Sequence, residues 1–482
     1  MQLFYPFSLP LAFLWSPGYA LNLSSLETPL SARSLLFFVC IGLPLASSPL
    51  LCVLFWALSQ REEDVVVMST LRADLVHVLV ALFSMRLAMA VKYAYMPAHT
   101  YAARLKREAP REARADEQLL SGWQFLSAKK IRSEVAAAAA AQPLDVEPLR
   151  VSLRGAGALA RLCSELACGE AGAVITAAAE ARGGARDGEG AALAVPVAAF
   201  AEAILLAAET ESKAYAMRAV RLNMAGSLVS TFTTAVVRAA LRSPQFGHDV
   251  YQLCAVVTHW VANLVILGVT LTFLMVGAVD HFRRARAHAL LGGFFSAQRG
   301  AAAPALDLAD PENARAFIAA RGLLCAFGEA YHERLVLVTA CSLATFLVVA
   351  AYVVASLYTS PAGSALGLAL CPFILLHVLV WPAFACILAG LFQAARANSE
   401  MSKHTAVVVQ ARLRARMARL GGADEGKAAA PSFALLEDLE CWLRASQHEA
   451  AVSIWGFEVT GAFGAQALRQ ERGVTRALWR LL

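Results

Sequence analysis

The chain has 482 residues, of which 58% are hydrophobic and only 16% charged, with a mean hydropathy of +0.55. A chain folded wholly in water would be ~45–50% apolar and about a quarter charged, so this composition argues against one. The net charge is +6 (42 Lys and Arg against 36 Asp and Glu), and the basic cluster of Arg104, Lys106, Arg107, Arg111 and Arg114 does not interleave with aromatics, so nucleic acid is not indicated as a partner.

The apolar excess lies in blocks near the ~20 residues that cross hydrocarbon as a helix. Met1–Ala20 is apolar, lacks a basic start and carries Pro6, Pro10 and Pro17. With the sequon Asn22-Leu23-Ser24 it fits a signal peptide, or else a membrane-surface segment leading into the first span. We take the second reading. Leu35–Leu58 is the first span and Val65–Val91 the second, joined by the net acidic link Ser59–Asp64.

A long stretch follows, with basic residues Arg104, Lys106, Arg107, Arg111 and Arg114, the alanine tract Ala136–Ala141 and a Gly/Ala/Arg/Glu segment near Ala181–Gly190. The last is low in complexity. The basic residues suit anionic lipid or a plain solvated helix. Ala191–Ala208, interrupted by Pro196 and Glu202, reads as an extension of the third span's helix into the cytoplasm, with an extra span as the alternative. Arg221–Leu241 is the third span and Val250–Val279 the fourth. The fourth exits into Arg283, Arg284 and Arg286, a cytoplasmic stop. Asp310–Gly328 is an amphipathic helix with Pro311 near its start. Leu335–Tyr358 and Leu366–Gly390 are spans five and six. Ala450–Leu468 is apolar enough for a seventh, with Glu458 in its middle.

The links alternate in kind. Arg242–Asp249 and Thr359–Ala365 are short and nearly uncharged, whereas the other main links are long and rich in Lys and Arg. Lys and Arg beside span ends orient a helix, so the N-terminus and the long links belong in the cytoplasm. That orientation is opposite to a G-protein-coupled receptor's. The expected fold is all-α, a polytopic membrane bundle of seven helices with a cytoplasmic N-terminus and an extracellular C-terminus. The expected division is 1–33 (membrane surface), 34–92 (spans one and two), 93–218 (long loop), 219–279 (spans three and four), 280–334 (loop with a helix), 335–395 (spans five and six), 396–449 (helical cytoplasmic region) and 450–482 (last helix).

Ionisable residues inside spans usually face a bundle interior or a wet cavity. His77, beside Asp74 and Arg86, lies in span two; His259 and Asn263 are one turn apart in span four; His377 lies in span six between Pro372 and Pro382. His77, His259, Asn263 and His377 are therefore candidate ligand-pocket residues. Single helix-to-helix hydrogen bonds are the plainer role. Ser227, Ser230, Thr231, Thr233 and Thr234 in span three suit packing. Six of the ten cysteines fall inside spans, and the spacing of Cys163 and Cys168 fits no metal site. There is no Walker loop, no His-Glu-x-x-His and no Gly-x-Ser-x-Gly, so no enzyme, cofactor or metal centre is expected.

Three stretches carry a resemblance. Leu3–Pro17 is rich in aromatics and proline, Arg396–Glu449 is long and helical in pattern, and Ser453-Ile454-Trp455-Gly456-Phe457-Glu458-Val459-Thr460 joins glycine to aromatics. With the inverted seven-span layout, these resemble the insect gustatory and odorant receptor superfamily and its gustatory receptor-like relatives in plants and protists. The resemblance implies a homotetrameric, ligand-gated cation channel at the plasma membrane that binds a small molecule. It also implies a last helix lining the pore through Ile454, Phe457, Thr460, Phe463 and Gln466, and cytoplasmic anchor regions that hold the subunits together. The sequence departs from the family's Thr-Tyr and following Gln: Gly461 follows Thr460, and Arg469, Glu471 and Arg472 come soon after. The alternative is a six-span scaffold or transporter whose Ile454–Leu482 segment lies on the cytoplasmic surface as an amphipathic helix.

Overall fold

The computed structural model describes residues 128–141, 150–153, 169–180, 193–241, 277–296, 306–327, 381–420, 429–454 and 457–460. It also describes the single positions 53, 56, 57, 60, 75, 162, 166, 343, 344, 347, 348, 350, 351 and 355. These residues are mostly helical and the class is all-α. In chain order the elements are α1 (Ala128–Ala141), β1 (Arg150–Leu153), α2 (Gly169–Glu180), β2 (Leu193–Pro196), α3 (Val197–Leu241), α4 (helical residues 277–295), α5 (Pro311–Ala326), α6 (Trp381–Leu420), α7 (Ala429–Ala450), β3 (Ser453–Ile454) and β4 (Phe457–Glu458). Every described residue in spans one, two and five is helical.

The chain divides into two compact units: Met1–Gln124, Met217–Gly277 and Glu333–Ala389 in the first, Phe125–Ala216, Ala278–His332 and Gly390–Leu482 in the second. The first gathers the expected spans and the second the long links. The exceptions are 93–124, which goes with the spans, and 450–482, which goes with the links.

Among the described residues no helix is long and apolar enough to cross a membrane. Arg221–Leu241 is the one expected span described from end to end, and its serines and threonines lower its hydropathy. Within that unit, large apolar side chains stand exposed: Val53 and Trp56, Leu222, Leu228, Val229, Phe232 and Val236 on α3, and Leu347 and Val348. Leu222, Val229, Phe232 and Val236 recur at helical spacing, so they form one outward stripe.

The second unit is built the other way. α3 begins directly after Pro196 ends β2, and its residues Phe200–Glu209 are all buried. Phe200 lies 5.6 Å from Phe294 and 6.5 Å edge-on from Phe295; Phe295 meets Phe317 at 5.1 Å, also edge-on. Such tilted contacts suit the ring quadrupoles. Ile131, Leu162, Ile175, Ile204 and Leu291 are the next largest of the fully buried side chains. Thus α1, α2, α3, α4 and α5 share one apolar core.

β1 and β2 pair antiparallel, Arg150 opposite Pro196 and Leu153 opposite Leu193. α5 packs against β1, α1 and α7, and α2 packs against β2. Asn313 of α5 joins the sheet to the helix. Its Oδ1 accepts from Ser152 N (2.7 Å), and its Nδ2 donates to the carbonyls of Ser152 (3.1 Å) and Asp307 (3.1 Å). α5 starts as expected: Asp310 is its N-cap and accepts from Glu312 N at 3.0 Å, and Pro311 follows at the first helical position.

Two expectations are settled here. The apolar run Ala191–Ala208 is helical only from Val197, Leu193–Pro196 being strand β2, and α3 is unbroken from Val197 through the expected third span to Leu241. The helix expected over Ala450–Leu468 is corrected at its start. α7 ends at Ala450, and β3 pairs antiparallel with β4, Ser453 opposite Glu458 and Ile454 opposite Phe457. Two residues, Trp455 and Gly456, separate these strands. A two-residue link containing glycine between β-branched and aromatic residues favours a hairpin over a helix.

Candidate functional site

α6 carries the expected sixth span's end at Gly390 and runs on without a break to Leu420. Two of its buried polar residues, Asn398 and His404, organise what surrounds it.

Asn398 holds the hairpin. Its Nδ2 donates to the carbonyls of Val452 (3.0 Å) and Val459 (2.9 Å), and its Oδ1 accepts from Val452 N (2.8 Å). Val459 N donates in turn to Val452 O at 3.0 Å. One side-chain amide thereby closes both ends of the β3–β4 pair, and satisfies backbone groups that burial would otherwise leave unpaired.

His404 pins α6 to α4. Its Nε2 donates to the carbonyl of His288 at 2.9 Å, its ring lies 5.5 Å from that of His288, and Phe317 meets it edge-on at 5.5 Å. Because a carbonyl only accepts, His404 carries its proton on Nε2. A Cβ on Gly292 would come within 3.2 Å of His404 Cδ2, so a residue without a side chain permits this approach. Burial, and then Arg321, oppose a charge on His404 and hold its pKa down to about 4, the bond to His288 pulling the other way. Burial, followed by the charges of His404, Arg321 and Arg284, lowers His288 well below the ordinary value. Both histidines are neutral at neutral pH.

Arg321 itself lies over the Trp442 ring at 5.2 Å, and its Nη1 donates to Ser446 Oγ at 3.1 Å. α5 is thus fastened to α7. Glu440 of α7 meets Arg412 of α6 at 2.9 Å and Arg444 at 2.6 Å.

Acidic residues that interrupt the apolar pattern of α3 turn out to be ion-pair partners. Arg283 Nε donates to Glu209 Oε2 (2.6 Å) and its Nη1 to Asp280 Oδ1 (3.0 Å). Arg284 donates to Asp280 Oδ2 (3.0 Å) and to the carbonyl of Phe327 (3.2 Å). Arg286 pairs with Glu211 at 2.7 Å, and Arg132 with Glu202 at 2.9 Å. The basic residues Arg283, Arg284 and Arg286 therefore serve a folding role.

Of the residues singled out in the sequence, Ile454 and Phe457 face each other across the hairpin rather than lying in a helix. Thr460 follows it and is exposed. Phe463, Gln466, His77, His259, Asn263 and His377 lie outside the described residues. Asn398, His404, His288 and Arg321 were not singled out. The only sequence signal for the first two was a polar residue on the inward stripe of an otherwise amphipathic helix. Among the described residues no group of three or more His, Cys, Asp or Glu is placed to hold a metal. The arrangement is a mechanical junction: it ties α4, α5, α6, α7 and the chain leaving Val459 together through buried polar contacts.

No protein-family model matches this chain. No curated protein and no solved structure matches it either.

Proposed function

We propose that the chain is a chemoreceptor-like polytopic membrane protein, a subunit of a ligand-gated cation channel. In this reading its long links fold together as a cytoplasmic anchor. The observation that carries the membrane assignment is the inversion between the two units. Large apolar side chains are exposed on the expected span segment of α3, whereas most large apolar side chains of the link unit are buried, Phe392, Leu413, Met417 and Trp442 being the exposed exceptions, and Arg283 and Arg284 are held by carboxylates. An exposed apolar stripe marks a surface covered by lipid or by another protein. Continuous helices running from span to link, α3 and α6, give the anchor a direct mechanical connection to the membrane part.

The spans bind a small-molecule ligand through His77, His259, Asn263 and His377, and four copies assemble around a pore. The pore-lining part starts after the hairpin, with Thr460, Phe463 and Gln466; Ile454 and Phe457 belong to the hairpin that launches it. Ligand binding opens such a pore only by favouring the open arrangement, and α6 with Asn398 is the path by which that arrangement reaches the segment after Val459.

A second reading has its own support. The hairpin replaces the first part of the expected seventh helix, and 450–482 groups with the links rather than the spans. That favours a six-span scaffold or transporter whose last segment lies on the cytoplasmic membrane surface. Epitopes placed before Met1 and after Leu482, read on intact and permeabilised cells at the plasma membrane, separate the two. The channel reading predicts an N-terminal epitope reached only after permeabilisation and a C-terminal epitope reached without it. Both epitopes hidden until permeabilisation would establish the six-span reading.

A further inference from the structure

We propose that the end of α6 around Leu413 and Met417 is a docking surface for an acidic amphipathic helix of a partner protein. The surface lies wholly within the link unit, and the proposal does not depend on the membrane reading.

One side of α6 is already committed to the core of that unit, through His404, Val407, Val408 and Ala411, all buried. The opposite side nevertheless carries Leu413, 52% exposed, and Met417, 68% exposed. They are four residues apart, so one stands directly beyond the other along the helix. Val409, half-buried, precedes them in the same row. Folding of the unit accounts for the first apolar side of the helix and not for the second.

The row has cations on both flanks. At about 100° per residue, Arg416 falls about 60° to one side of Leu413 and Arg414 about 100° to the other. Arg416 is exposed and Arg414 half-buried. Nearby, Arg412 of α6 and Arg444 of α7 share Glu440. Among the described residues no carboxylate meets Arg414 or Arg416. Arg414 Nη2 is also shut off from water without an acceptor, so its charge gains from a nearby anion. Four arginines thus stand around one carboxylate, and the apolar row is bordered by unbalanced positive charge.

Such a row complements a helix whose own apolar row has carboxylates on both flanks, in the way that the apolar seam and the flanking charges of a coiled coil match. Two rival occupants fit less well. A bilayer surface holds a helix in proportion to the apolar area it buries, and only two large side chains remain here for that purpose. A second copy of the chain offers the exposed acids Glu437 and Asp438 of α7, but the exposed residues between them on the helix, Ala434 and Cys441, are small. The large residue beside them, Trp442, is engaged by Arg321.

The test is the fluorescence anisotropy of a labelled synthetic helix titrated with purified full-length protein. The probe has leucines in one row and glutamates on both flanks; its control has lysines in place of the glutamates. The glutamate helix should bind and the lysine helix should not. Arg416→Glu should weaken binding by about tenfold or more, and Met417→Ser by about fivefold. Arg416→Lys should keep more of it than Arg416→Glu. Both positions are exposed, so these variants should melt with wild type, and Lys213→Gln on α3 should bind as wild type does. Failure of the glutamate helix to bind, equal binding of the two helices, or binding indifferent to Arg416 and Met417 would overturn the proposal. Displacement of the bound helix by phosphatidylserine vesicles would also overturn it and give the surface to lipid. Sedimentation that shows an oligomer broken by Arg416→Glu would overturn it in favour of a second copy.

Discussion

One helix, α3, contains both characters of this molecule. Its first part, Phe200–Glu209, is buried without interruption, even at Glu202 and Glu209. Its later part exposes Leu222, Leu228, Val229, Phe232 and Val236. Backbone and helix type are the same throughout, so the difference lies in what each part is made to face. The early part is small and apolar and packs against Phe294, Phe295 and Ile175; its two carboxylates are accepted because Arg132 and Arg283 reach them. Among the described residues the later part shows no such partners for these large side chains. The comparison teaches that hydropathy alone does not separate a buried link helix from a span. What separates them is where the charges sit and whether each has a partner.

The largest effect should come from breaking the charge pairing that lets the link unit bury acids. Arg283→Ala leaves Glu209 and Asp280 without this partner inside the fold. Loss of one member of a buried pair costs about 3–5 kcal/mol, so the variant should melt well below wild type in a thermal scan of the purified protein. An unchanged melting temperature would mean that the pair is dispensable.

Next comes a matched pair on α3 itself. Ile204 is fully buried and Val229 is 65% exposed. Ile204→Ala should cost about 2–5 kcal/mol, whereas Val229→Ala should stay within about 0.5 kcal/mol, both read by chemical denaturation. Similar losses would erase the contrast between the two parts.

A smaller and more local loss is expected from Asn398→Leu. It takes the Asn398 partner from Val452 N and from the carbonyl of Val459, while the carbonyl of Val452 keeps its bond from Val459 N, at about 1–3 kcal/mol where a group stays buried and unpaired. Amide exchange should quicken at Val452–Thr460 while Phe200–Glu209 stays protected. Uniform quickening would make Asn398 an ordinary core residue.

The smallest effect is a pH dependence. His404 is held down to about 4 and His288 is also lowered, against an ordinary value of about 6.5. Between those values the unfolded chain takes up protons that the folded chain refuses. Stability is therefore full above about pH 6.5 and falls as pH drops toward 4. Melting temperatures of wild type and His404→Gln across that window should converge as the pH falls. A parallel decline would place the titration elsewhere.

Much of the architecture was legible in the sequence because it depends on local signals. Asp310 and Pro311 announce α5, and α3 reads through Glu202 because helical periodicity survives one charge. The β1–β2 pair was not legible. Its strands are four residues each and far apart in the chain, and Leu193–Pro196 looks like the start of the apolar run that follows. The hairpin was missed although Trp455-Gly456 offers a turn, because the apolar residues around it also suit a span. The junction of Asn398 with Val452 and Val459, and of His404 with His288, joins residues distant in sequence, and no local pattern encodes such pairs.

The central claim is that α3 passes from a cytoplasmic core into lipid near Arg221. Single cysteines at Lys213, Val229 and Val236 in the full-length chain, each compared with the parent protein, would test it with a membrane-impermeant maleimide. The account predicts labelling of Lys213→Cys only after permeabilisation, and resistance of Val229→Cys and Val236→Cys from either side until the membrane is dissolved. Labelling of Val229→Cys as fast as Lys213→Cys in permeabilised cells would contradict it, and would place that whole stripe in water.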